Sequence, residues 1–287
     1  MDLVSIITPC YHSKPYLSKA IESVLTQNYQ SWELLIIADD LADYQSFCQQ
    51  NSFFDPRLKF LSTEKNGSGP SYARNIGLKA ASGNIVALLD SDDYFLPDKL
   101  ALMVPKVKEY GMASCALAVY LETGAYLRTI GDQVHERGIR SHEYPFINFC
   151  SQSMIVWDRN QINLVYDVDV PCLEDLLFVM QCYDLIEEIY HFPQSLHHYC
   201  RRQGSLTNSV DTSNKFIETK LKFVDRIKNK TIGINNQGAL DTLLKVLEVT
   251  FEIDDLLKKG VIEINETALF FDFVEQKFLE KKLLPSF

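Results

Sequence analysis

Residues 84–97 read NIVALLDSDDYFLP. The apolar run from Ile85 to Leu89 stops at Asp90, Asp92 and Asp93, three carboxylates in four positions. A short apolar run without polar alternation fits a strand buried on both faces. Such strands belong to parallel sheets covered by helices, and the ligands of those sheets sit beyond the carboxyl ends of the strands. The acidic knot is therefore either a solvated turn with a helix cap or one wall of a binding site.

The same pattern extends outward on both sides. LVSIIT (3–8), WELLIIA (32–38) and RLKFLST (57–63) read as three more strands. Between them, Leu17, Ala20, Ile21, Val24 and Leu25 recur at helical spacing within 15–27. A second helix is expected over 70–82, opened by Pro70 and closed near Gly83, and a third over 97–110, with Pro105 expected to kink or break it. The alternation gives an α/β fold, Rossmann-like, with a mostly parallel central sheet flanked by helices. Three expected strand ends carry polar chemistry: Thr8-Pro9-Cys10-Tyr11, Asp39-Asp40 and Asp90-Ser91-Asp92-Asp93.

From Met112 the pattern changes. Two strands flank Glu122-Thr123-Gly124 as a hairpin, and 131–144 reads as a polar loop. QSMIVW (152–157) reads as a strand, a helix follows Pro171, and EEIYHFP and SLHHYCRR read as two short strands. RQGSLTNSVDTS (202–213) is the best linker, and helices are expected over 212–229, 237–259 and 266–282, a C-terminal helical extension.

Bulk composition narrows the function. The 287 residues are 46% apolar and 23% charged, with a net charge of −10. That balance argues against a nucleic-acid partner held by its phosphates, which needs a basic face. The seven cysteines show no CxxC pair, so a disulfide framework or zinc site is not expected. The start carries no leader pattern, and no stretch of about 18 apolar residues exists to span a membrane. The expected location is cytoplasmic, with peripheral contact to the inner face of a membrane left open. Phe270, Phe271, Phe273, Val274 and Phe278, with nearby lysines, suit a membrane-surface helix or a homodimer contact. Packing against the neighbouring helix is the plainer reading.

Three aspartates this close repel one another unless a cation or backbone N–H groups sit beside them. Carboxylate oxygens suit a hard divalent ion, Mn²⁺ or Mg²⁺, with a diphosphate completing its shell.

The segments VSIITPCYH, AIESVLTQNYQSWELLIIADD, NGSGPSYARNIGLKAASGNIVALLDSDD, LED and YCRRQGSLT occur in one order over about residues 2–208. In this the chain resembles family 2 of the inverting, nucleotide-sugar-dependent glycosyltransferases. The resemblance implies a GT-A fold with a nucleotide-sugar-binding half (1–110) and an acceptor-binding and catalytic half (111–208); the C-terminal helical region (209–287) lies beyond it. It implies a UDP-sugar donor and a carbohydrate or lipid-linked acceptor. Pro9 and Tyr11 would line the base pocket, Asp39 would accept the uracil N3–H, and Arg74 would lie near the base or diphosphate. Asp90 would contact the ribose and Asp92 would ligate the metal, with Asp93 a secondary ligand. Asp175 would be the catalytic base and Glu174 would orient it or bind acceptor, both in the first turn of a helix. Without the resemblance, Asp39 reads as a helix cap, Arg74 as a surface helix residue, and Glu174 and Asp175 as ordinary first-turn acids.

The chain also departs from the family pattern. Asp39-Asp40 is followed by Leu41-Ala42 where the family has Gly-Ser, so the turn there lacks its flexible residue. The late His that precedes Gly-Ser in many members falls on Arg202, a cation that can pair with diphosphate but cannot ligate a metal. These departures keep a second reading open, a nucleotide-sugar-binding protein without turnover. A nucleotidyltransferase is disfavoured because PCYHSKPY holds no glycine after the first strand.

Overall fold

The computed structural model describes residues 1–147, 154–202, 210–264 and 270–283. Gly204, Ser205, Cys150 and most of the expected linker lie outside the described residues.

The first half alternates as its periodicity requires. It runs β1 (Val4–Cys10), α1 (Leu17–Leu25), β2 (Trp32–Ala38), α2 (Tyr44–Gln50), β3 (Leu58–Ser62), α3 (Pro70–Ala80), β4 (Ile85–Leu88), β5 (Tyr94–Phe95) and α4 (Lys99–Tyr110). Helix α2 was not expected: its seven residues are mostly polar, and Asp43 caps it by accepting from the Ser46 N–H. Helix α4 continues through Pro105, which lies on its exposed side. Gly111, at φ 81°, ends the helix.

The second half contributes β6 (Met112–Leu121), β7 (Tyr126–Ile130), β8 (Arg137–Arg140), the short α5 (Tyr144–Ile147), β9 (Val156–Asp158), α6 (Glu174–Cys182) and β10 (Glu188–Arg201). The hairpin of β6 and β7 forms as expected, with Gly124 at φ 85° in its turn. The expected loop 131–144 instead contains β8, whose polar residues find ladder partners on β10. The two short strands expected late in the chain are one strand, β10. Irregularities between Phe192 and His197 absorb Pro193 without ending it. Helices α7 (Val210–Lys228), α8 (Gln237–Lys258) and α9 (Phe270–Glu280) complete the described chain.

One sheet runs through both halves, in the order β3-β2-β1-β4-β9-β6-β10-β5, with β7 on β6 and β8 on β10. Strands β3, β2, β1 and β4 are mutually parallel; β9 enters antiparallel to both β4 and β6, and β10 is parallel to β6. Alternate residues of β1 and β2 supply two cores. Val4, Ile6, Leu34 and Ile36 pack with α1 and α4, whereas Ile7, Leu35 and Ile37 pack with α3, α6 and α8. Gly77 lets α3 lie close on this second face, since a Cβ there would meet Ile7 Cγ2 at 2.5 Å.

Helix α9 packs inward. Val274 and Phe278 are buried, Phe278 meets Phe146 edge-on, and Lys277 and Lys281 pair with Glu248 and Glu252 of α8. Among the described residues no helix is long and apolar enough to cross a membrane.

Candidate active site

The parallel register brings Cys10 opposite Ala38 and Ile7 opposite Leu88, so three polar strand ends open on one edge of the sheet. The Cys10 carbonyl accepts from the Asp39 N–H at 2.8 Å. Beyond β1 the chain turns through His12, at φ 53°, and Ser13 Oγ meets Ser91 Oγ at 2.6 Å. That contact ties the end of β1 to the middle of the DSDD segment.

Asp39 is no helix cap. It is 3% exposed and its carboxylate organises the glycine loop before α3. Oδ1 accepts from Thr63 Oγ1 at 2.8 Å and the Ser68 N–H at 2.9 Å, and Oδ2 accepts from the Gly69 N–H at 2.9 Å. Oδ2 thus keeps capacity for one further donor. Gly67, at φ 73°, lies against the half-exposed Tyr11 ring, which sits 4.3 Å from that of His12; Pro9 is partly buried at the same edge. The turn that lacks glycine is made by Leu41 in the left-handed region at φ 59°, 63% exposed. Asp40 holds that turn, accepting from the Ala42 and His12 N–H groups and from the Tyr44 hydroxyl.

Arg74 is the hub of the site and not a surface residue. It is 5% exposed on α3, and its guanidinium donates to Asp90 Oδ1 and Glu174 Oε1, each at 3.0 Å. Burial pulls this cation down, but Asp90 and Glu174 outweigh burial and hold it above its usual value. Arg74 thereby joins the segment after β4 to the first turn of α6, far along the chain. Asn75, the next residue, exchanges two hydrogen bonds of 2.8 Å with the Tyr166 backbone and so fixes the approach to α6. Tyr166 stacks on Phe178 one turn into that helix. Leu173, just before Glu174, is buried in the left-handed region at φ 58°. Strain of this kind costs about 1–3 kcal/mol and concentrates at functional sites.

Asp175 lies beside Glu174, partly buried, and accepts from its neighbour's N–H, Leu176 to Oδ1 at 2.8 Å. Burial and then the charge of Glu174 push its carboxyl up to about 7, against Leu176 and Arg74. A carboxylate poised near neutrality is suited to general-base work.

The acidic knot divides in two. Asp90 and Asp92 face the cleft, paired to Arg74 and to Arg202 respectively. Burial and then Asp90 raise Asp92, with Arg202 opposing. Asp93 turns inward instead, 1% exposed. Its Oδ1 accepts from the Cys200 N–H and its Oδ2 meets His197 Nε2, both at 2.9 Å. His197 Nδ1 faces the buried Lys99 ammonium at 3.2 Å. Lys99 can only donate, so Nδ1 accepts and the Nε2–H is left for Asp93. With both oxygens engaged in the interior by His197 and the Cys200 N–H, Asp93 anchors the acidic turn to β10. On the same strand His197 is buried and His198 half-buried.

Among the described residues no three His, Cys, Asp or Glu side chains gather into a metal cage. The donor set still fits Mn²⁺ or Mg²⁺ of the kind that takes one or two carboxylates and leaves the rest of its shell to phosphates and water. Asp92 and Asp90 are hard oxygen donors whose mutual repulsion a cation would relieve. A separate cavity of about 560 Å³, lined by Val168, Pro171, Lys222 and Arg226 among others, includes none of the site residues expected from sequence.

Ser13, Ser91, Thr63, Asn75 and Lys99 were not expected in the site. Asn75 and Ser91 had a local signal, adjacency to Arg74 and to Asp90 and Asp92; Ser13, Thr63 and Lys99 contribute through contacts between distant segments.

Comparison with known proteins agrees with this architecture. The family model described as "Glycosyl transferase family 2" matches residues 5–160. Glycosyltransferase GlyA of Streptococcus pneumoniae is 27% identical over 98% of this chain and 42% of its own. The Escherichia coli UDP-Glc:alpha-D-GlcNAc-diphosphoundecaprenol beta-1,3-glucosyltransferase WfgD is 44% identical over 36% of this chain and 40% of its own. The chain thus spans about two fifths of the length of these relatives. Staphylococcus aureus TarS residues 1–349, solved in complex with UDP-GlcNAc, shares the fold: TM-score 0.64, 17% identity, 90% of this chain and 73% of that one.

Proposed function

Because the chain belongs to glycosyl transferase family 2, we propose that it transfers a sugar, with inversion, from a UDP-sugar to a hydroxyl of a carbohydrate or lipid-linked acceptor. The observation that carries this reading is the Arg74 bridge, 3.0 Å to Asp90 and 3.0 Å to Glu174, which ties the acidic turn after β4 to the first turn of α6.

In this reading the uracil lies between Tyr11 and the glycine loop, its N3–H on Asp39 Oδ2, and Pro9 borders the ring. Asp90 meets the ribose. Asp175 takes the proton of the acceptor hydroxyl as that oxygen bonds to the anomeric carbon, and the bond from that carbon to the diphosphate oxygen breaks on the opposite face. Glu174, held by Arg74, fixes the helix turn that aims Asp175 and keeps its carboxyl near neutrality. Arg202 offers a planar cation to the diphosphate. Asp92, with Asp90 beside it, would hold Mn²⁺ or Mg²⁺, whose charge would favour departure of the diphosphate. The inward packing of Val274 and Phe278 leaves a lipid-linked acceptor to be met elsewhere than on the buried face of α9.

The test is UDP release from a panel of UDP-, dTDP- and GDP-sugars with Mn²⁺ and candidate acceptors. Uridine donors should be preferred, and Asp175→Asn and Asp92→Asn should abolish release. A preference for a guanosine donor would remove the role of Asp39. UDP binding with no turnover on any pair would favour a binding protein of the same fold.

A further inference from the structure

The two cleft-facing aspartates already have a cation each. Asp90 has Arg74, and Asp92 Oδ2 has Arg202 Nε at 2.6 Å. The second pairing is built rather than casual. The Arg202 guanidinium lies over the Tyr16 ring at 4.1 Å, and both partners of the ion pair are largely sheltered, their side chains 24% and 17% exposed. Arg202 follows directly on β10, whose pairing with β6 runs to Arg201 and whose Cys200 N–H is fastened to Asp93. The backbone that presents Arg202 is thus tied to the same acidic turn it neutralises. A divalent ion at Asp92 has to displace this guanidinium from Oδ2 or share the oxygen with a like charge.

We propose that Arg202 is a resident counter-cation of Asp92: it competes with the divalent ion there, turns to the diphosphate when the donor binds, and makes the ion auxiliary to binding instead of obligatory. A guanidinium suits both stations, because its planar fork matches carboxylate and phosphate alike. Its move exchanges one negative partner for a more highly charged one, so Asp92 is released only when the diphosphate has arrived. The inference rests on the proposed UDP-sugar reading for its second station and on the observed ion pair for its first.

Two measurements test the stations separately. Mn²⁺ is titrated into wild type, Arg202→Ala and Arg202→His, with bound ion read by electron paramagnetic resonance in the absence of nucleotide. Removing a sheltered counter-charge should tighten Mn²⁺ by about tenfold in Arg202→Ala, and Arg202→His, which adds a ligand nitrogen, should bind at least as tightly. Calorimetry then follows UDP with and without Mn²⁺. Mn²⁺ should improve UDP affinity less than about threefold in wild type and more than about tenfold in Arg202→Ala. Equal Mn²⁺ affinity in all three proteins, each shown folded by thermal unfolding, overturns the proposal. So does a wild type that binds UDP only with Mn²⁺. A wild type that shows the Mn²⁺ difference but binds no UDP at all defeats the nucleotide reading and the second station while the competition at Asp92 stands.

Discussion

Replacing Asp175 by Asn should inactivate the protein and stabilise it, and the stabilisation should depend on pH. The carboxyl is raised from 3.8 to about 7 by burial and by Glu174, so the folded chain favours its protonated form. The sign follows from linkage. Below pH about 4 the group is protonated in both folded and unfolded chains and costs nothing. Between pH about 4 and 7 the unfolded chain ionises it while the folded chain still holds it protonated, so stability falls across that window and levels off above the folded value. A shift of roughly 3 units is worth about 4 kcal/mol at full ionisation, at 1.36 kcal/mol per unit; sharing with Glu174 sets a range of about 2–4 kcal/mol. Asn keeps a carbonyl oxygen for the Leu176 N–H, so no hydrogen bond is lost in the exchange. Thermal unfolding of Asp175→Asn should therefore exceed wild type by several degrees at pH 8 and by little at pH 4.5, at about 2–4 °C per kcal/mol. Turnover should fall by about 10²–10⁴. Equal stability of the two proteins at pH 8 would refute the raised carboxyl, and turnover within tenfold of wild type would refute its role as base.

Three further outcomes are expected. Asp39→Asn keeps one acceptor oxygen where two now take three donors, so UDP affinity measured by calorimetry should fall by about tenfold or more as the glycine loop loosens. Unchanged affinity would place the base elsewhere. Lys99→Met leaves His197 and Asp93 without their buried cation and should lower stability to urea by about 3–5 kcal/mol, with UDP affinity reduced less than stability; a neutral effect would deny the Lys99–His197–Asp93 contacts their anchoring role. Leu41→Gly should raise stability by about 0.5–1 kcal/mol, because glycine takes φ 59° without strain; destabilisation would mean that the exposed leucine side chain holds the turn.

The first half of the fold was legible because continuous apolar strands and 3.6-period helices leave little choice of partner: β1 to β4 and α1, α3 and α4 fall where periodicity puts them. Strand β8 and helix α2 were hidden because their residues are polar and are specified by a ladder partner or a cap, which no local period records. The site divides in the same way. Asp90, Asp92 and Asp39 are strand ends, so topology alone gathers them. That Asp93 points inward depends on His197 and Lys99, two residues of different elements, and no spacing along the chain reveals that triangle. Arg74 looked like a surface residue on its helix until its two carboxylate partners, one far along the chain, accounted for its burial.

The shared cleft is tested most directly by diffraction from a crystal of the protein soaked in UDP and Mn²⁺. Density for one nucleotide is expected with uracil N3 on Asp39 Oδ2 and the diphosphate between Asp92 and Arg202, opening toward Asp175. A nucleotide bound away from the carboxyl edge of β1, β2 and β4, or none bound at saturating concentration, would contradict it.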